Sequence, residues 1–194
     1  SFTDGIALDG SLDLGNTQAD FADNNGIPVR TALAEFTVDE QGMVKINEAE
    51  FELLQEGRLK AAGSIDTVKQ QLDLAIGVEN VAAADAVQQN IVGRLNGNIN
   101  VKGESASPNI NWSLDSGFAR TTGLLSILTD KLQGQRTLKL SDVKLTPQDG
   151  GEIIAGGELQ LFQNQLLKLD IVSKNFNPSK MDKQLPVGNI NGNI

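Results

Sequence analysis

The side chains from which an active site could be built are few in kind. The 194 residues include no His, no Cys and no Tyr, which removes the usual proton shuttle, the thiol nucleophile, nearly every zinc site and the redox motifs together. An enzyme would have to work with Ser, Asp, Glu, Lys and Arg alone. The acidic groups at Asp39-Glu40 and from Glu48 to Glu52 read as solvated faces. No pair of carboxylates has a context for acid/base transfer, and no Ser or Lys lies in a nucleophile motif. No enzymatic activity, metal or cofactor is therefore expected. The formal charge of −9 argues against nucleic acid, whose affinity rests on clustered Lys and Arg.

What the chain offers instead is apolar contact, set out at a spacing of two. Leu72, Leu74 and Ile76 alternate with Asp73 and Ala75; Leu138 and Leu140, Leu159 and Leu161, and Leu167, Leu169 and Ile171 repeat the pattern. Alternate side chains of a strand share a face, so these ten residues are the expected lining of an apolar surface. The single Trp, Trp112, is read as a packing anchor.

The elements that position them are mostly strands. Residues 5–15, 29–38, 43–54, 57–66 and 70–78 alternate, with a change of register near Asn47 that implies a bulge or turn. Asn24-Asn25-Gly26 marks a turn, with Pro28 at the head of the next strand. Residues 98–114 read as a hairpin turning at Ser107-Pro108. Strands resume over 138–145, turn at Asp149-Gly150-Gly151, and continue through 153–162 and 166–172. Three short helices are expected. One follows Asn80 through an Ala-rich run, one follows Asn177-Pro178 as N-cap and first helical residue, and one covers 118–132, where Leu125, Leu128 and Leu132 have helical spacing and Gly134 is a stop.

A phrase said twice organises the whole. QQNIVGRLNGNI at 88–99 returns as KQLPVGNINGNI at 183–194, with seven identities in twelve positions. Upstream, Gly57, Ala61 and Gly63 match Gly151, Ala155 and Gly157, and Leu72, Leu74, Ile76 and Asn80 match Leu167, Leu169, Ile171 and Asn175. The expected organisation is two β repeats, 1–97 and 98–194, each of about 95 residues. The Asn-Gly pairs at 96–97 and 191–192 read as turn or bulge chemistry. The repeat breaks off where its first copy runs on, so the chain is expected to be a fragment of a longer protein. No apolar run reaches the ~18–20 residues of a membrane span. A repeated sheet with one apolar face can close on itself as a dry sandwich or stay open as a trough. By pattern the sandwich is the ordinary outcome, since alternating strands usually cover their own core, while aromatic residues at only 4% suit an aliphatic lining.

The phrases NPSKMDKQLPVGNINGNI and GRLNGNINVKGESASPNINWSL resemble the repeats of the TamB family of AsmA-like bridge proteins of Gram-negative envelopes, most clearly over 57–114 and 138–194. The resemblance implies an all-β, elongated, incurved sheet, U-shaped and taco-like, with an apolar concave face. It implies a periplasmic segment of a protein anchored in the inner membrane, carrying phospholipid acyl chains toward the outer membrane. The alternative it implies is an assembly factor for autotransporters and other β-barrels, acting through strand edges with an Omp85-type (TamA-like) outer-membrane barrel. A free edge would also permit an edge-to-edge dimer of the fragment. The helix expected at 118–132 departs from the family pattern.

Overall fold

A computed structural model describes residues 8–15, 29–53, 55–82, 93–130, 134–148, 150–161, 166–180 and 187–193. The protein is all-β: twelve strands form one antiparallel sheet, in simple chain order and not closed into a barrel. The chain divides into two compact units, residues 1–105 and 106–194; the repeat boundary read between 97 and 98 falls inside a strand. The first unit holds β1 (Leu8–Gly15), β2 (Val29–Val38), β3 (Met43–Leu53), β4 (Arg58–Asp66), β5 (Gln71–Ala82) and β6 (Arg94–Glu104). The second holds β7 (Ser107–Asp115), β8 (Ala119–Thr129), β9 (Arg136–Pro147), β10 (Glu152–Leu161), β11 (Leu166–Phe176) and β12 (Ile190–Asn193).

Apart from β8 and β12, the strands form where alternation predicts them, and the change of register near Asn47 is a bulge. Ile46 pairs with Gly63 and Ala49 with Ala61, which leaves one extra residue on β3. Four more bulges of this kind occur, the first on β2, where Val29 pairs with Leu53 and Thr31 with Glu52. β5 gains a residue between Val78 and Val81, β11 gains one between Ser173 and Phe176, and β9 gains one opposite the step from Ala155 to Gly157. Asn80, Asn175 and Asp142 occupy these last three bulges with φ of 54°, 48° and 53°. Asn and Asp tolerate this left-handed region better than other side chains.

The two copies of the repeated phrase build the same bulge. The Asn80 amide N–H donates to Oδ1 of Asn96 at 2.9 Å, and the Asn175 amide N–H donates to Oδ1 of Asn191 at 2.7 Å. A backbone donor that the bulge takes out of the ladder is thus satisfied by a side chain on the neighbouring strand. The Asn-Gly pairs therefore serve bulges within strands rather than hairpin turns. The matched glycines are equivalent as well. A Cβ at Gly63 would run into the Asp73 carbonyl, and one at Gly157 into the Lys168 carbonyl, so both strands approach a partner backbone that only glycine permits.

One expected helix is a strand. Residues 119–129 are β8, with Thr121, Leu125 and Ile127 on one face and Leu124 and Leu128 on the other. Apolar residues on both faces mimic the spacing of a helix, while the β-branched Thr121, Thr122, Ile127 and Thr129 favour an extended backbone. Gly134 closes the β8–β9 turn, donating its N–H to the Asp130 carbonyl at 2.7 Å. The helix expected after Asn80 begins on residues that still belong to β5; its remainder lies outside the described residues, as do the turn at 24–26 and Pro28. After β11 the cap forms as read, with Asn177 Oδ1 accepting from the Ser179 N–H at 3.2 Å, but it opens a 3-10 turn at Pro178–Lys180. The turn expected at Ser107-Pro108 comes earlier, at 105–106, and both residues already belong to β7.

Replacing Asn96 by Ala should lower stability to urea denaturation by about 1 kcal/mol, since a bulge N–H loses its acceptor. Asn191→Ala should cost about as much, whereas Asn98→Ala, whose side chain makes no hydrogen bond among the described residues, should change stability by less than ~0.5 kcal/mol.

Candidate functional site

Residues directly opposed in an antiparallel pair share a face, so the registers assign every paired side chain. In the first unit the rows run across all six strands. Leu12, Ala34, Ala49, Ala61, Ile76 and Ile99 form one, and Leu14, Ala32, Phe51, Leu59, Val78 and Gly97 a second. Gly10, Phe36, Ile46, Gly63, Leu74 and Val101 form a third, and Leu8, Val38, Val44, Ile65, Leu72 and Gly103 a fourth. Four rows of six contain no polar side chain.

The second unit continues the pattern by itself. Ile110, Leu125, Leu140, Gly157 and Leu169 stand in one row, and Ile127, Leu138, Leu159 and Leu167 in the next. Val143, Ala155 and Ile171 form a third, and Thr129, Arg136 and Leu161 a fourth. All ten residues expected to line an apolar surface therefore lie on the apolar face of their unit. Alternation in β1 and β2 carries the signal for Leu12, Leu14 and Phe36, which belong to the same face and extend it. Arg136 was passed over, although it lies two residues before Leu138 in the same alternation.

Within each unit, no second layer of described residues covers these faces. Among the described residues the buried apolar positions are Ala32, Ala49, Leu53, Val78, Val81, Ala82 and Ala119, and no large side chain is fully buried. Within each unit the dry sandwich does not form. Leu161 and Leu169 are each 42% exposed and Leu167 is 63% exposed. Two aromatic rings fill the space that a Cβ would take on glycines of the neighbouring strand: Phe36 over Gly10 and Trp112 over Gly123. Trp112 also donates its indole N–H to Thr121 Oγ1 at 3.2 Å, so it is the anchor expected of it.

The opposite faces carry the charge. Lys60 pairs with Glu79 at 3.2 Å and Lys102 with Asp73 at 3.1 Å, while Arg58 lies 3.6 Å from both Glu50 and Glu52. In the second unit Glu152 is held between Lys144 and Lys174. Hydrogen bonds from Lys144 first, and then Lys174, hold its carboxyl below the usual range. Asp66 is lowered in the same direction by the Lys69 backbone N–H and then the Lys69 side chain. Both carboxyls are thus fixed as anions. Among the described residues no group of three or more acidic, His or Cys side chains could hold a metal ion, and no helix is long and apolar enough to cross a membrane.

Comparison with family models, curated proteins and solved structures returned no match. The site is accordingly defined by its geometry: an aliphatic, uncovered face on each unit, backed by a charged one.

Because its folded-state pKa is depressed, Glu152 contributes stability that is fully present above its ordinary value of 4.5 and is lost as pH falls through the lower folded value. In urea denaturation repeated between about pH 3 and pH 6, Glu152→Gln should therefore flatten part of the acid-side decline seen in the parent.

Proposed function

We propose that this chain is a periplasmic segment of an inner-membrane-anchored bridge protein of TamB type, and that its apolar face carries phospholipid acyl chains toward the outer membrane. The observation that carries this reading is the set of four unbroken apolar rows across β1 to β6, over which the described residues of the unit place no second layer. An apolar face of this kind is ordinarily paired with a second layer. Here the cover is assigned to lipid.

The dimensions fit such a cargo. Six strands at ~4.8 Å and four rows at ~6.8 Å make a face of about 20 by 24 Å, against about 15 Å for the chains of one bilayer leaflet. Each buried methylene gains ~0.8 kcal/mol relative to water, or roughly 10 kcal/mol per chain. Relative to a bilayer the gain is near zero, which is what release at the far end requires. Bulges on β3, β5, β9 and β11 bend their strands, as a strand lining a trough requires.

A second reading has one observation in its favour. β1 pairs only with β2 among the described residues and is exposed along nearly its whole length, an edge open to strand addition by a β-barrel client or an Omp85-type partner.

Protein purified without detergent should yield phospholipid on organic extraction and mass spectrometry, and Leu74→Asp and Leu169→Asp, each with retained β-sheet circular dichroism, should reduce the yield at least ~10-fold, since one buried charge offsets several methylenes. A folded parent free of lipid would sink the conduit reading and leave the strand edge as the site.

A further inference from the structure

Among the described residues one charged side chain stands on the apolar faces. The rows of the first unit contain none, and in the second unit the registers place Arg136 between Thr129 on β8 and Leu161 on β10. Its parity is that of Leu138 and Leu140, two and four residues along β9, so it shares their face. It is exposed and begins its strand, while Thr129 and Leu161 end theirs. Arg136 therefore sits at the rim of the face, in its last row.

Its face separates it from the other cations. Lys60, Lys102, Lys144 and Lys174 each meet a carboxylate on the opposite face. The Arg136 side chain makes no hydrogen bond or ion pair among the described residues; Lys45, Lys139 and Lys168 make none either, but they stand on the charged face, in register with Thr37 and Ser64, Ser126 and Glu158, and Glu158. Apolar exposure is also high beside it, at Leu161 in its own row and Leu167 in the next.

We propose that Arg136 binds the phosphate of an anionic phospholipid whose acyl chains lie on the adjoining rows. The proposal rests on the conduit reading of the face. A guanidinium presents N–H donors in a planar fork that matches two phosphate oxygens at once. Its aliphatic stem lies over apolar neighbours while its head stays at the water boundary. A rim position suits an amphiphile, with the head group hydrated at the strand ends and the chains running inward past Leu138 and Leu159. The shared chemistry is the phosphate oxyanion, which lipid and free phosphate both present. The abutting leucines favour the lipid.

The test titrates protein purified without detergent with two fluorescent lipids that have the same acyl chains, phosphatidylglycerol and diacylglycerol, using the parent, Arg136→Gln and Leu169→Asp. Arg136→Gln should weaken phosphatidylglycerol binding by about tenfold, the size of one charge-assisted hydrogen-bonded contact, and leave diacylglycerol binding unchanged. Leu169→Asp should weaken both. Equal phosphatidylglycerol affinity in the parent and Arg136→Gln, or equal loss of both lipids in Arg136→Gln, overturns the head-group site while leaving the conduit standing. Inorganic phosphate that binds the lipid-free parent and not Arg136→Gln, with both lipids unaffected, overturns it in favour of a free anion. A parent that binds neither lipid removes the conduit itself.

Discussion

The structure depends on parity. An antiparallel ladder puts opposed residues on one face, and the side-chain period of two means that a slip of one residue turns a whole strand inside out. An apolar face spanning six strands survives only if parity is kept at every step. The positions facing the apolar side do change parity along the chain: from Val29 to Ala32, Ile46 to Ala49, Val78 to Val81, Leu140 to Val143 and Ser173 to Phe176. At each change the registers show one extra residue on that strand. The bulges are therefore the means by which a sequence that breaks alternation still presents one apolar surface. The Asn80–Asn96 and Asn175–Asn191 bonds satisfy the donor that two of those bulges release.

A single layer has little else to rely on. The charged face is laced with ion pairs, but at side-chain exposures such as 41% and 51% for Lys60 and Glu79 each is worth ~1 kcal/mol or less. Cross-strand contacts between aliphatic neighbours contribute roughly 0.2–1 kcal/mol apiece, and the ladder supplies cooperativity. The gain of ~1.5–3 kcal/mol from fully burying a leucine is forgone at Leu161, Leu167 and Leu169. Stability left unrealised on one face of a sheet is available to whatever covers it.

The strands and the membership of the apolar face were legible because period-two alternation is a local signal. Leu72, Leu74 and Ile76 could be placed together without knowing their partners. The bulge near Asn47 was legible for the same reason, as a visible break in alternation. The segment 118–132 was not, because apolar residues on both faces of β8 reproduce helical spacing, and the β-branched content of Thr121, Thr122 and Ile127 was the better guide. Two further features required the register. The Asn80 and Asn96 pair is separated by residues that reveal nothing of their contact. Arg136 becomes unusual only once Thr129 and Leu161 are seen beside it and its face is known to hold no other charge.

Shape and chemistry of the face bear on what kind of occupant it suits. A site that retains one ligand encloses it and converges polar groups on it. Here the rings of Phe36 and Trp112 lie over glycines of the neighbouring strand, and the rows of the first unit run from Gly and Ala to Leu, Ile and Phe with no polar side chain among them. On the conduit reading, an acyl chain meets only apolar contact along such rows and no polar group that would hold it at one place. On the proposed reading, a single arginine at the rim adds orientation without enclosure. Its bond to a phosphate competes with water at an exposed position, strong enough to favour one end of the lipid and weak enough to be exchanged. A face lined with several such cations would hold its cargo; a face with one can set its direction and let it pass.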